Sequence, residues 1–530
     1  MQMSKPIHAL RRALIDPAGS ERAVLVSLGV YVVLWTIYGT IAKSSQGLHP
    51  DMTELIAWSR DLAWGYKHPP LAAAIVHLWF SVFPVAEWSY YLLAMLMPAI
   101  ALWIAWRLSA DYLDIEKRVV GLVLLTFIPF FNFHALKFNV NTVLMPLWAV
   151  TTLWFLRSYK TRRTLYAALA GLGAAGCMLG KYWSVFLLAG LAVAALIDQR
   201  RAVYFRSPAP WITIAVGLAV LAPHLLWLYR HDFAPFGYAM AVHGAKSFAD
   251  TAVGALGYLT GSAGYVAIPV IVVLALLLRS SPRKRGPRTE SSASMAMDSR
   301  LRGNERNIEA TKRARATVAD MIWPADNERR LAAAAFWGPL LLPAFGALTS
   351  GTEITSLWSM SAWTLLPVVL LSPPAVTVRQ IDAHRILAGA VVLPLVMLIA
   401  SPVIAIIAQR NGPPPATAQS NLLASEVERL WRETTPQPLR FVGGDAGLVN
   451  GVISYAADRP RALPSMPPPN AADLAHSGQA VVCFADDANC RAAGAALAGG
   501  RTVENEIVRN FLRFPGKPQR YTIFIVPPRP

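Results

Sequence analysis

The chain has 530 residues, 55% of them hydrophobic and only 15% charged, with a mean hydropathy of +0.40. Soluble domains carry about 25% charged residues, so this sequence lacks the polar surface that water demands. Its formal charge of +18 does not mark nucleic-acid binding, because the excess sits in loops between apolar runs, where Lys and Arg set membrane topology.

Unbroken apolar runs such as 119–133, 167–178 and 266–278 point to α-helical spans, each needing roughly 20 apolar residues. A closed β-barrel would require period-two alternation, which these runs lack. The N-terminus is basic (Lys5, Arg11, Arg12, Arg22), but the run from Ala23 to Ala42 is a full span rather than a cleavable signal. Hydropathy places spans near 23–43, 88–108, 119–136, 142–157, 164–180, 182–198, 210–229, 256–278, 331–349, 360–375 and 386–408, about eleven in all. The apolar segment 71–84, after His68-Pro69-Pro70, is short and is expected to lie along the surface or dip in.

Lys and Arg concentrate in alternate loops, notably 157–163, 199–206 and 279–330, while the others carry only scattered cations such as Lys43, Lys137 and Lys246. The positive-inside rule then puts the N-terminus inside and residues 44–87, 137–141, 229–255 and 350–359 outside. An odd number of spans sends the C-terminus outside as well. The loop 280–330 is Ser-rich and charge-mixed, with no apolar period, and is expected to be disordered. Its basic start suits anionic lipid head groups; a tolerated insertion is the plainer reading.

From about Gln409 the texture changes to soluble α/β. A linker containing Pro413, Pro414 and Pro415 precedes an amphipathic helix bearing Leu422, Leu423, Val427, Leu430 and Trp431. Strand-like runs follow at 439–442, 480–484 and 521–526. The division expected is 1–410 for the membrane part and 411–530 for the outside domain. Cys483 and Cys490 both fall in that domain, where a disulfide is permitted; Cys177, apolar-flanked within a span, reads as packing.

The first outside loop carries the densest chemistry, running from His49-Pro50-Asp51-Met52-Thr53-Glu54 through Trp58, Asp61 and Trp64 to Lys67-His68-Pro69-Pro70. Asp51 and Glu54 stand three apart at a helix start and share a face. The plain alternative is a helix-start signature related to the capping box. Other polar groups gather at span ends on the same side: Asn139 and Asn141 after Lys137, the Lys181-Tyr182 pair, and His224, Arg230, His231 and Asp232. Each has a bland reading; Lys181 could snorkel and Asn141 could cap a helix. Together they describe an outside pocket suited to an anionic lipid phosphate.

The run from Asp51 to Leu71, with Lys137-Phe138-Asn139-Val140-Asn141, Gly180-Lys181-Tyr182 and Pro223-His224-Leu225-Leu226-Trp227, resembles bacterial family 39-type glycosyltransferases. These belong to the membrane GT-C group, alongside protein O-mannosyltransferases and lipid A aminoarabinose transferases. The resemblance covers roughly residues 25–410. It implies a polytopic helical protein of the bacterial inner membrane, with a small periplasmic α/β domain. It also implies inverting transfer of a sugar from a polyprenyl-phosphate donor to lipopolysaccharide, another glycolipid or protein at the periplasmic face. The family's first-loop Asp, the general base, corresponds to Asp51, and Glu54 falls on the neighbouring acidic position. The resemblance nominates Lys67 and His68 to hold the donor and Lys181 to meet its phosphate, and Asn139, Asn141, Tyr182, His224 and His231 are expected to join them in binding substrate. No cofactor is assigned. A divalent metal, Mg or Mn, stays open, but many members carry Asp near the position of Asn141, and Asn there weakens a metal site. The expected partners are the lipid-linked donor, the acceptor and membrane lipids. Two other classes fit the hydropathy. A lipid or solute transporter would favour paired, broken spans, and a noncatalytic sensor would leave the first-loop motif idle.

Overall fold

A computed structural model describes residues 4–245, 247–279, 311–312, 314–412, 419–465, 468–497 and 501–529. Lys246, most of the loop 280–330 and the run 413–415 lie outside these residues. The chain divides into two units, Met1–Gly29 with Pro98–Asn132 and Leu144–Val392, and Val30–Met97 with Phe133–Val143 and Leu393–Pro530.

Among the described residues, five helices are long and apolar enough to cross a bilayer: Ser20–Ala42, Glu87–Ser109, Ala209–Arg230, Asn327–Ser350 and Gln380–Asn411. Phe248–Tyr265 and Ala267–Arg279, bent by 57° at their junction, make a sixth if the pair is one span. Exposed apolar side chains along them, such as Trp211, Leu218, Ile271 and Ile399, suit contact with acyl chains rather than water. The chain is a multi-pass membrane protein.

Within the first unit, small residues set the helix spacing. Thr164–Gly180 packs on Ala209–Arg230 where a Cβ on Gly171 would stand 2.5 Å from the Thr213 carbonyl oxygen. Val185–Ile197 packs on Asn327–Ser350 in the same way, with Gly190 against Pro339. Two expected spans are broken rather than continuous. The segment 119–136 is helical only through Leu125, in the helix Ile115–Leu125. Beyond it the Thr126 hydroxyl donates to the Val123 carbonyl, Pro129 opens a 3-10 turn, and Asn132 Nδ2 donates to the Thr126 carbonyl. The segment 360–375 holds the 3-10 turn Trp363–Leu365 and the short helix Leu366–Leu371. The expectation of disorder across 280–330 also fails in its described part. Residues 314–322 are helical, with Thr317 and Met321 buried four apart and Asp320 paired to Arg329 at 2.6 Å. The composition was polar, yet this short buried face and one ion pair suffice to hold these roughly two and a half turns against the membrane helix that follows.

In the second unit, five strands form one sheet: β1 (Phe441–Gly444), β2 (Arg461–Ala462), β3 (Gln479–Phe484), β4 (Arg501–Ile507) and, after the small hairpin of β5 (Asn510–Phe511) and β6 (Phe514–Pro515), β7 (Gln519–Val526). The order is β2-β1-β3-β7-β4, parallel through β2, β1 and β3 and antiparallel from β3 to β4. Val442 sits beside Ala480, and Val481 beside Phe524. The helix Ser420–Thr434 lays Leu423, Val427, Leu430 and Trp431 on the sheet, at the amphipathic spacing the sequence carries; Leu422 is only partly buried. Cys483 and Cys490 are joined as a disulfide on the opposite face, beside Val481 and Phe524. The helix Pro50–Asp61 belongs to this unit and packs against Ala446–Tyr455, with Ala57 in the same core.

Candidate active site

The helix Pro50–Asp61 starts where proline favours a start, at its first position. Its cap is His49, whose Nδ1 accepts the Asp51 backbone N–H at 3.2 Å. The capping-box reading of Asp51 and Glu54 therefore does not hold, and both carboxylates are left to tertiary partners. Met52, Leu55 and Ile56 are buried, and Tyr90 Oη donates to the Met52 carbonyl at 3.1 Å. With that face fixed, the other is presented.

Asp51 keeps 43% of its side chain exposed and receives a hydrogen bond at 2.9 Å from Asn139 Nδ2. Asn139 caps the helix Val140–Thr161: its Oδ1 accepts the N–H of Asn141 at 2.9 Å and of Thr142 at 3.3 Å. Because the oxygen is taken by the backbone, the amide nitrogen is the end that faces Asp51. The cap is thus Asn139, two residues earlier than the sequence suggests, and Asn141 lies in the first helical turn it caps.

Glu54 Oε1 pairs with Lys67 Nζ at 2.6 Å, with both side chains about three-quarters buried. Burial pushes the Glu54 carboxyl above its ordinary range; Lys67 pulls it back and Asp51 adds to the rise. Lys67 Nζ also stands 5.5 Å from the centre of the Trp58 ring, and His68 meets that ring edge-on at 5.9 Å.

Lys43 and Lys137, which the sequence shows only as scattered cations, act on the same place. Burial lowers the His49 pKa, and the fields of Lys137 and Lys43 lower it further against the pull of Asp51. Lys43 is itself lowered by burial and by Lys137. The signal was present in the outside-loop assignment of both lysines, but their 94-residue separation in sequence hid the pairing.

A cleft of about 100 Å³ adjoins these groups, walled by Glu54, Trp58 and Asp61 of the helix, by Tyr66 and His68, and by Asn450 of Ala446–Tyr455. Asp61 accepts from Arg461 Nε at 2.7 Å, and Arg60 donates to the Pro460 carbonyl at 2.6 Å.

The first unit holds a separate polar group. Lys181 closes the C-terminus of Thr164–Gly180, where a cation is favoured, and is buried 4.5 Å from the centre of the Trp358 ring. Tyr182 Oη lies 3.0 Å from His224 Nε2. His224 and His231 both stack on the Trp227 ring, but His231 is exposed and bonds the Trp227 carbonyl at 2.8 Å. So Asp51 joins Asn139 and Asn141, Glu54 joins Lys67 and His68, and Lys181, Tyr182 and His224 form their own group, with His231 at its surface.

Among the described residues, no three His, Cys, Asp or Glu side chains stand close enough to hold a metal ion. Asp51 faces an amide donor and Glu54 an ammonium, which repel rather than complete a Mg or Mn shell that wants oxygen ligands. This donor set does not fit a divalent metal.

Residues 67–227 match the family described as dolichyl-phosphate-mannose-protein mannosyltransferase. The match takes in Lys67, His68, Asn139, Asn141, Lys181, Tyr182 and His224 and begins after Asp51 and Glu54. The crystal structure of ArnT from Cupriavidus metallidurans bound to undecaprenyl phosphate is similar at 12% identity over 94% of this chain and 97% of that one, with a TM-score of 0.52. The apo state of the same protein matches at 12% identity, 96% and 98% coverage and a TM-score of 0.46. Oligosaccharyltransferase AglB from Archaeoglobus fulgidus, in complex with an inhibitory peptide and a dolichol-phosphate, matches at 11% identity over 85% and 69%, with a TM-score of 0.36. No curated protein matches the chain in sequence. The fold is that of a GT-C membrane glycosyltransferase, as the first of these likenesses shows. The resemblance read from the sequence stands: the chain is similar to the protein-mannosyltransferase-like enzymes of that group.

Proposed function

We propose that the protein is an inverting glycosyltransferase that moves a sugar from a polyprenyl-phosphate donor to an acceptor hydroxyl at the periplasmic face. The observation that carries this is Asp51, held at a helix N-terminus by the Asn139 amide and still open to a ligand. ArnT was crystallised with undecaprenyl phosphate, and the same class of donor is proposed here.

The acceptor hydroxyl attacks the anomeric carbon while Asp51 takes its proton. The bond from that carbon to the phosphate oxygen breaks, and a single displacement inverts the configuration. The departing polyprenyl phosphate gains negative charge, which fixed cations stabilise. Lys67, with Lys43 and Lys137 near Asp51, supply it without a metal. The acceptor is lipopolysaccharide, another glycolipid or protein.

The test incubates membrane vesicles with a panel of radiolabelled undecaprenyl-phosphate hexoses and pentoses, comparing wild type with Asp51→Asn. Loss of the base lowers transfer by about 10²–10⁴-fold, with membrane insertion and melting unchanged. Full activity in Asp51→Asn would falsify the assignment. Labelling only from the cytoplasmic side would remove the periplasmic setting.

A further inference from the structure

We propose that the cleft along the Pro50–Asp61 helix is a carbohydrate subsite for a neutral or amino-bearing sugar of the acceptor, away from the bond being made. This rests on the glycosyl-transfer function proposed above.

Positions 51, 54, 58 and 61 recur at intervals of three and four, so they lie along one stripe of the helix. Asp51 opens the stripe, and Glu54, Trp58 and Asp61 continue it as one wall of the cleft. At a rise of 1.5 Å per residue, Trp58 is about 10 Å along the axis from Asp51. A base must come within about 3 Å of the proton it takes. A ring seated at Trp58 is therefore not the one whose hydroxyl reacts. The ligand that reaches both ends has more than one ring, and the cleft holds its remote part. Binding energy from such a remote part is what an enzyme uses to orient the reacting end.

The wall chemistry suits a sugar. Trp58 offers an aromatic face, with Tyr66 at 5.3 Å between ring centres, for the C–H side of a ring. Glu54, Asp61, His68 and Asn450 bring polar groups for the hydroxyl rim. Among the described residues lining the cleft none is Lys or Arg. Lys67 and Arg461 pair with Glu54 at 2.6 Å and Asp61 at 2.7 Å, and Lys67 Nζ stands 5.5 Å from the centre of the Trp58 ring. An anionic sugar would meet these carboxylates with their cations already engaged, which disfavours it, whereas hydroxyl or amino groups can donate to the remaining carboxylate lone pairs.

Full-length protein in detergent is titrated, by calorimetry and saturation-transfer NMR, with four probes: chitotriose, its deacetylated amino counterpart, trigalacturonate, and an unglycosylated Ser/Thr peptide. The neutral or the amino trimer binds, and trigalacturonate binds at least about tenfold more weakly, the cost of one unfavourable charge contact. Trp58→Ala weakens binding by about tenfold and Asn450→Ala by about three- to tenfold, each with wild-type melting. Should Trp58→Ala fold poorly, Asn450→Ala carries the test alone. The proposal is overturned if wild type binds neither trimer, if both variants bind undiminished, or if the acidic trimer or the peptide is preferred. Trimer binding lost only in the cleft variants, in a protein that transfers no sugar from any donor, would support the subsite and reject the transfer reading.

Discussion

Replacing Asn139 by Asp exchanges the amide nitrogen facing Asp51 for an oxygen and leaves the helix cap in place. The new carboxylate still accepts the N–H groups of Asn141 and Thr142, and its charge is favourable at a helix N-terminus. What changes is the 2.9 Å contact with Asp51. Two unit charges at that distance repel by about 1.4 kcal/mol at a dielectric of 80 and about 6 kcal/mol at 20. With 43% of the Asp51 side chain exposed, water screens the pair, and about 1.5–3 kcal/mol is the range to expect. That corresponds to about 1–2 pH units, in the direction that keeps one proton on the carboxylate pair. The assay follows kcat/KM for sugar transfer across pH in vesicles, with a chelator present because a carboxylate pair captures divalent ions. The acid limb moves up by about 1–2 units, and the deficit at low pH disappears as pH rises through the new limb. Melting stays within about 1 kcal/mol of wild type. Asn139→Ala, by contrast, loses the cap and the contact together and shows no alkaline recovery. A pH-independent deficit in Asn139→Asp, or an unmoved limb, would refute the reasoning.

Lys67→Met leaves Glu54 buried without its cation, and the Glu54 carboxyl, already raised by burial, rises further. A raised acid contributes stability below its unfolded pKa of 4.5, and that contribution disappears as pH rises through the folded value. The variant should therefore melt lower than wild type at neutral pH, by about 1–3 kcal/mol, with the gap closing below the unfolded pKa. A gap independent of pH would show that the pair is not the cause. Gly190→Ala drives a methyl to within 2.4 Å of Pro339 Cδ and 2.5 Å of its backbone nitrogen, so detergent melting should fall by about 1–3 kcal/mol. Unchanged melting would mean that Val185–Ile197 and Asn327–Ser350 pack less closely than described.

Hydropathy recovered the long helices because burial in lipid depends on composition, and composition is local. It failed at 119–136 and 360–375 for the same reason. Thr126, Pro129 and Asn132 change the hydrogen-bonding pattern without lowering the apolar average. In the soluble layer, β3 and β7 were legible as apolar runs, whereas β4 was not. Its sequence Arg-Thr-Val-Glu-Asn-Glu-Ile buries little, and it pairs only with β7 at the edge of the sheet. The site was legible as residue types but not as partners. Asp51 meets Asn139 across 88 positions and Asp61 meets Arg461 across 400, separations that no local pattern encodes. Even the local step misled at one point. Asn139 and Asn141 are equally good caps by composition, and only the geometry gives the cap to Asn139 and so aims its amide at the carboxylate.

The helix bearing Asp51 has 12 residues, and a helix that short is marginal in water. It persists because Met52, Leu55, Ile56 and Ala57 are buried and because both ends are tied. His49 and Asn139 hold the first turn, while Arg461 and the Pro460 carbonyl hold Asp61 and Arg60 at the last. The ties at the last turn come from Pro460 and from Arg461, the first residue of β2, at one edge of the sheet. That layer touches no reacting atom in the proposed chemistry, yet a base displaced by about 1 Å loses on the order of 10²-fold in rate. Its first contribution is then mechanical: it fixes the axis on which Asp51 stands. Its second is the far wall of the cleft. One rigid helix thus carries the reacting group at one end and the proposed recognition surface toward the other, with a separation set by backbone geometry rather than by side-chain conformation.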